Sequence, residues 1–170
     1  MVVRLNETAR PPYDALRPEK TNVDAADYFA IQNLIHRYAD RLDHGDFAGV
    51  AELFAEAEVY LPARAEPFRS DAAGLLAVWR SMVRIDPASG TPQTRHLMSN
   101  LILEADGPER ARAQTYGTVL QATPALPLQP IITVTYHDRF AKRGGAWRYT
   151  ERRIEMGLIG NLGQHLLQGV

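Results

Sequence analysis

The segment TNVDAADYFAIQNLIHRYADRLDHGDF, residues 21–47, carries the strongest helix signal in the chain. Its apolar side chains recur at the three- and four-residue spacing of one buried helix face. The members of that face are Ile31, Leu34, Ile35, Tyr38 and Leu42. Asp24 or Asn22 can cap the start, and Gly45 can end the helix in a left-handed turn. The segment therefore predicts a long amphipathic helix with polar residues clustered at its C-terminal end.

Two more helices and then a run of strands are predicted beyond this segment. Helical periodicity recurs in DFAGVAELFAE (46–56) and SDAAGLLAVWRSMVRI (70–85), with Asp46 and Ser70 as N-caps, and AEVYLPA (57–63) between them is typical of a short strand. Four longer strand-like segments follow, at 94–105, 110–123, 130–143 and 146–159, separated by turn sequences. This order predicts an α+β fold in which three N-terminal helices wrap a curved antiparallel sheet around a ligand-sized cavity.

The composition and charge of the chain argue against nucleic-acid binding and against a membrane-spanning protein. A chain of 170 residues favours one domain, and the net charge of -1 without a basic run argues against nucleic-acid binding. No apolar run approaches the ~18 residues of a membrane span. Residues 1–21 form a polar, proline-punctuated stretch without the apolar core of a secretory signal. We expect a flexible or surface-draped arm there, a single domain over 22–170, and a cytoplasmic protein without membrane contact.

The sequence favours acid–base chemistry without a cofactor. There is no cysteine, and the five histidines (His36, His44, His96, His137 and His165) show no metal-ligand spacing. Glycine-rich phosphate loops and the G-x-S-x-G nucleophile turn are absent from the sequence. We therefore expect neither a metal nor an organic cofactor.

Three residues remain as candidates for acid–base chemistry. Tyr38 lies on the apolar helix face, and Asp43 lies at the rim of that face near the helix end. Periodicity alone favours a core tyrosine and a turn-forming aspartate. His96 opens the segment TRHLMSNLILEA, where strand alternation puts it with Thr94, Met98, Asn100 and Ile102. That mixed face suits a ligand cavity or a half-solvated sheet, and the opposite face, with Leu97, Leu101 and Leu103, is apolar enough to pack under the helices.

Several segments together resemble the SnoaL-like group of the NTF2-like superfamily. They are IQNLIHRYADRLDHGDFAGVAELFA, TRHLMSN and YHDRFAKRGGAWRYTERRI, and the likeness spans roughly residues 24–165. The implied fold is a cone-shaped α+β barrel with a deep pocket. Within this superfamily, scytalone dehydratase, bile-acid 7α-dehydratase and hexachlorocyclohexane dehydrochlorinase use an Asp–His pair in that pocket. The resemblance implies catalytic roles for Asp43, His96 and Tyr38.

The resemblance also implies residues that bind substrate. Tyr60 loosely matches a substrate-binding tyrosine, and a second pocket histidine of scytalone dehydratase has no counterpart near Leu120 or Gln121. The strand that carries Tyr136 is expected to face the pocket, or else to pack in an ordinary sheet. The pattern does not distinguish Arg152 from Arg153, and it favours a core position for Trp79. The full set of predicted substrate-binding residues is Tyr60, Tyr136, Trp79, Met98, Asn100, Val134 and Arg152.

The resemblance implies a lyase or isomerase acting on a small, apolar, cyclic substrate such as a steroid, terpenoid or polyketide. Elimination of water is the leading prediction, and polyketide cyclisation or double-bond isomerisation by the same residues is the alternative. A non-catalytic binding protein, or a scaffold similar to the small subunit of ring-hydroxylating dioxygenases, stays open as well. Relatives cover the outer face of the sheet by association, so we expect a homodimer or homotrimer.

Overall fold

The computed structural model describes residues 23–62 and 64–167, so the predicted arm at residues 1–21 lies outside the described part of the chain. Three helices, α1 (Ala25–Asp43), α2 (Phe47–Leu53) and α3 (Ala72–Met82), lie in the N-terminal half. Two short strands, β1 (Glu58–Tyr60) and β2 (Phe68–Arg69), separate α2 from α3. Four long strands follow, β3 (Thr94–Ala105), β4 (Arg110–Thr123), β5 (Leu126–Arg143) and β6 (Ala146–Ile159).

Aspartate side chains cap the three helices at their N-termini. Asp24 accepts a hydrogen bond from the Asp27 backbone N–H in α1, and Asp46 does the same for Gly49 in α2. The prediction of Ser70 as the cap of α3 is wrong, because Asp71 accepts the Gly74 N–H at 2.8 Å. A carboxylate there complements the positive end of the helix dipole better than a hydroxyl.

The sheet has the order β2-β1-β6-β5-β4-β3. The long strands β3 to β6 pair antiparallel as consecutive hairpins, and β1 adds in parallel beside β6. The α+β prediction is confirmed, with two differences. The sheet is mixed, and β2 and β3 remain as its edges among the described residues, so it forms an open cone instead of a closed barrel.

The predicted alternation along β3 is wrong beyond Met98. The register with β4 shifts between Ser99 and Ile102, and Asn100 adopts a positive φ of 53°. This bulge moves Leu101 and Leu103 to the inner face, where they pack against the core, and leaves Ile102 44% exposed. A bulge adds one residue to one strand and so exchanges the two faces of the strand beyond it.

The core lies between the helices and the inner face of the sheet. Ile31, Ile35 and Leu42 of α1 are buried there, as their periodicity predicts, together with Leu75 of α3. Among the described residues, no helix combines the length and apolar character needed to cross a membrane. The core therefore fixes α1 across the inner face of β3 to β6, and the candidate site develops along that contact.

Candidate active site

The structure brings Asp43 and His96 into direct contact. The Nδ1 atom of His96 lies 2.6 Å from Asp43 Oδ1, and the backbone N–H of His96 donates to Oδ2 at 2.8 Å. Both side chains are about 8% exposed. Because an ionised carboxylate only accepts hydrogen bonds, the hydrogen of the neutral imidazole is on Nδ1. The Nε2 atom of His96 then has a free lone pair and can accept a proton.

The turn after α1 explains how two residues so distant in sequence meet. Asp43 is the last residue of α1, and Gly45 follows with a φ of 73°. A Cβ at Gly45 would lie only 2.8 Å from the Gly90 carbonyl oxygen. The missing side chain therefore lets the loop before β3 approach the helix end, which places the start of β3 beside Asp43.

Thr94 is a third member of the site, one that the sequence analysis did not assign. Its hydroxyl donates to Asp43 Oδ1 at 2.8 Å, and the residue is 1% exposed. Thr94 and His96 are two residues apart, so strand alternation puts them on one face, and this spacing was the signal available in the sequence. The carboxylate of Asp43 accepts three hydrogen bonds from β3.

The electrostatic environment keeps Asp43 ionised. Burial alone raises the pKa of the Asp43 carboxyl, but the hydrogen bonds from His96 and Thr94, together with the charge of a protonated His96, outweigh burial. The net pKa lies below its ordinary value. A carboxylate that is ionised at neutral pH stabilises positive charge on the adjacent imidazole.

Arg152 and Asp138 form a buried ion pair on the same inner face. The Nε and Nη2 atoms of Arg152 donate to the two carboxylate oxygens of Asp138, each at 2.7 Å. The guanidinium carbon lies 4.1 Å from the centre of the Tyr38 ring and 4.5 Å from that of Tyr136. Within the described residues, the Nη1 atom of Arg152 has no hydrogen-bond partner. The guanidinium group of Arg152 therefore packs against the rings of both tyrosines.

Tyr38 and Tyr136 lie edge to face, with ring centres 5.5 Å apart. Both are 3% exposed. Burial raises the pKa of each hydroxyl, most strongly for Tyr136, and the charge of Arg152 opposes that rise. Both hydroxyls are therefore protonated at neutral pH and can donate hydrogen bonds.

Met98 and Val134 flank Gly117 across the strand pairing of the inner face. A Cβ on Gly117 would lie 2.8 Å from both the Tyr136 ring and the Val134 side chain. Glycine is required there because the Tyr136 ring lies directly over the strand. These residues join the inner face that also carries His96.

Two predicted substrate-binding residues lie elsewhere, and a third packs within the core. Tyr60 pairs with Arg153, which points to the opposite face from Arg152, and its hydroxyl donates to Glu58 at 2.7 Å. Asn100 lies in the β3 bulge and is exposed. Trp79 is 8% exposed and packs within the core from α3. The structure does not bring Tyr60 or Asn100 to the Asp43–His96 pair.

Two surface depressions lie away from the Asp43–His96 pair. The larger, about 400 Å³, is lined mainly by charged residues, some of which form ion pairs, such as Arg139 with Asp106. The smaller, about 220 Å³, lies between α1, α2 and β6. Among the described residues, no cluster of three His, Cys, Asp or Glu side chains could hold a metal ion. The carboxylate–imidazole contact therefore remains the chemically distinctive feature.

The comparisons with known proteins agree with this architecture. The model of the SnoaL-like domain family matches residues 23–153. A search of curated proteins finds no significant sequence match.

Solved structures resemble the fold over most of the chain. A protein of unknown function with a cystatin-like fold from Nostoc punctiforme has a TM-score of 0.65 and 22% identity over 84% of this chain and 99% of its own. An NTF2-like protein with a cystatin-like fold from Novosphingobium aromaticivorans has a TM-score of 0.60 and 21% identity over 77% of this chain and 82% of its own. A candidate scytalone dehydratase from that organism has a TM-score of 0.60 and 20% identity over 81% of this chain and 94% of its own. At these identities the likeness establishes the fold alone.

Proposed function

The chain belongs to the SnoaL-like domain family, and on that premise we propose that it is a cofactor-independent lyase or isomerase whose general base is His96. The reaction we favour is elimination of water from a small, apolar, cyclic substrate such as a steroid, terpenoid or polyketide. The observation that supports the proposal is the 2.6 Å contact between His96 Nδ1 and Asp43 Oδ1, because it orients the imidazole and leaves Nε2 free to take a proton.

The proposed reaction uses one proton and two electron pairs. His96 Nε2 takes a proton from the carbon next to a carbonyl group, and Asp43 stabilises the imidazolium that forms. The electron pair of that C–H bond forms the new double bond as the C–O bond to the leaving hydroxyl breaks. The imidazolium returns its proton to the departing oxygen, which leaves as water. The same proton abstraction, without loss of hydroxide, serves double-bond isomerisation or an aldol-type cyclisation.

Tyr38 is proposed as the donor to the substrate carbonyl oxygen. Its hydroxyl stays protonated because burial raises its pKa. The positive charge of Arg152 beneath the ring favours negative charge at that hydroxyl, which strengthens it as a donor when charge develops on the carbonyl. Val134 and Met98 supply apolar surface on the same face. Tyr136 and Arg152 hold the ring of Tyr38 in place.

Deuterium exchange into a cyclic ketone tests the proposed base. We would incubate the protein with 2-tetralone in D₂O and follow loss of the α-proton signals by NMR. His96→Gln and Asp43→Asn should each slow the catalysed exchange by roughly 100- to 10,000-fold. The matched control is His36→Gln, which changes an exposed histidine of α1 and should leave the exchange rate unchanged.

Two results would contradict the catalytic proposal. One is a wild-type rate no higher than the uncatalysed exchange across a panel of cyclic ketones and β-hydroxy ketones. The other is an exchange rate that Asp43→Asn and His96→Gln leave unchanged. The alternative would then be a small-molecule binding protein or a scaffold subunit, since many proteins with this fold type carry no catalysis.

We also propose that the chain forms a homodimer or homotrimer through the outer face of the sheet. Leu97, Ile102 and Tyr116 point outward there and are 52%, 44% and 44% exposed. Contiguous exposed apolar surface of this kind marks association sites. Light scattering after size-exclusion chromatography should give a molar mass that is a multiple of 19.0 kDa, the mass of one chain. The double variant Leu97→Glu, Tyr116→Glu should have a lower molar mass. A wild-type monomer would contradict the proposal.

A further inference from the structure

The C-terminal segment, residues 160–167, folds back over the end of the sheet. It begins at Gly160, whose backbone N–H donates to the Ile131 carbonyl at 2.8 Å. It ends against α3, where the Leu167 N–H donates to the Met82 carbonyl at 2.9 Å. Between these two anchors, the carbonyl of His165 accepts the Arg84 N–H at 2.8 Å. The segment is therefore fixed at several points along its length.

This segment contacts β4, the strand paired with the one that carries His96. The Gln121 side chain, buried on β4, donates to the Gln164 carbonyl at 3.4 Å and to the Pro92 carbonyl at 3.0 Å. Gln121 is the cross-strand partner of Thr94, whose hydroxyl binds Asp43. One short chain of contacts thus links the segment to the carboxylate.

His165 is the titratable side chain of this segment. The charges of both His96 and Asp43 act on its imidazole, and the pKa of His165 is lowered to about 4, first by burial and then by the charge of His96, with Asp43 opposing. Arg84 also lies against the segment, where its side chain donates to the Leu166 carbonyl. At neutral pH the imidazole of His165 is uncharged.

The Nδ1 atom of His165 is buried and has no hydrogen-bond partner among the described residues. A buried polar atom without a partner costs about 1–3 kcal/mol, so most such atoms are satisfied by protein, water or ligand. The proposed reaction has no other use for this imidazole. An unmet hydrogen bond on an imidazole that lies within range of the charges of His96 and Asp43 indicates a position where a polar substrate atom can bind.

We propose that His165 is a second histidine of the Asp43–His96 site, and that its Nδ1 atom donates a hydrogen bond to an oxygen atom of the bound substrate. The inference rests on the proposed function because it assigns a substrate contact at the same site. A neutral imidazole suits this role since it donates one hydrogen bond without adding a positive charge beside His96. The C-terminal segment then determines which oxygen-bearing ring compounds bind.

A binding cycle with two ring compounds tests the inference. The probes are 2-tetralone and tetralin, which share the same two rings and differ by the carbonyl oxygen. Wild-type protein, His165→Phe and the exposed-site control His36→Phe would be titrated with each by calorimetry. His165→Phe should weaken 2-tetralone binding about 3- to 10-fold and change tetralin binding less than about twofold, because one neutral hydrogen bond is lost. His36→Phe should change neither.

A second measurement uses the unaltered chain and does not depend on folding of a variant. In protein labelled with ¹⁵N-histidine, the His165 Nδ1 resonance should move on addition of 2-tetralone and stay in place with tetralin. Equal weakening of both ligands, no weakening of either, an unmoved resonance, or no binding of 2-tetralone would overturn the inference. Deuterium exchange separates the two proposals, because it reports on the base while the binding cycle reports only on the oxygen contact.

Discussion

Asp43 binds His96 twice, through the imidazole Nδ1 at 2.6 Å and through the backbone N–H at 2.8 Å. The carboxylate therefore fixes the position of the β3 backbone and the orientation of the ring on it together. Each of the two side chains is about 8% exposed, so water competes little for these bonds. The arrangement leads to a direct prediction about the tautomer of His96.

Replacing Asp43 with Asn should reverse the tautomer. A carboxylate can only accept, whereas an amide can donate its N–H to Nδ1 and move the imidazole hydrogen to Nε2. Nitrogen NMR at a pH where the ring is neutral should report hydrogen on Nδ1 in the wild type and chiefly on Nε2 in Asp43→Asn. Hydrogen on Nε2 in the wild type would contradict the proposed base.

The hydroxyl of Thr94 should contribute measurably to stability. Thr94→Val keeps the shape of the side chain and removes the donor to Asp43 Oδ1, a bond to a charged acceptor that is typically worth about 1.5–3 kcal/mol. Urea unfolding should show a loss of that order. Thr118→Val, on the outer face of the adjacent strand, is the control and should change stability by less than about 0.5 kcal/mol. Equal losses in the two variants would show that the Asp43 contact is not the cause.

The free energy of unfolding should fall as the pH decreases from about 6.5 to about 4. His165 has a pKa of about 4 in the folded protein and the ordinary value of 6.5 when unfolded, so the unfolded state binds the proton first. The contribution of His165 to the free energy of unfolding is fully present above pH 6.5 and is lost as the pH falls towards 4. The pKa of Asp43 is also lowered, which adds a loss at still more acidic pH.

Urea unfolding at pH 7 and pH 5 measures this effect. His165→Gln removes the titrating group, so the difference between the two pH values should shrink. His36→Gln, on the exposed face of α1, should keep the wild-type difference. A wild-type difference that survives in His165→Gln would mean that another group titrates in this range.

The Arg152–Asp138 pair should be intolerant of single substitutions. Both side chains are at most 1% exposed, and removing one partner leaves a buried charge without compensation, at a cost of about 3–5 kcal/mol. Arg152→Met and Asp138→Leu should each lower the free energy of unfolding by that order. The double variant should lose less than the sum of the two. Additive losses would show that the two charges do not stabilise each other.

The local features of the fold followed from the sequence. The helix over 25–43, its apolar face and the left-handed Gly45 were predictable because 3.6-residue periodicity and helix-end chemistry depend on neighbouring residues. The four long strands were predictable for the same reason, since turn residues separate them. The resemblance placed Asp43 and His96 in one site, whereas periodicity alone favoured a structural Asp43.

Tertiary structure alone decided the features that depend on distant contacts. The bulge at Asn100 exchanges the two faces of β3 beyond Met98, and no local sequence pattern predicted this bulge. Tyr60 lies on the outer face because its neighbour Val59 pairs with the buried Arg152 and points into the core. The imidazole of His165 comes within range of the charges of His96 and Asp43 only because the C-terminal segment folds back against α3. Periodicity describes which side chains share a face of one element, while packing between elements determines which faces meet.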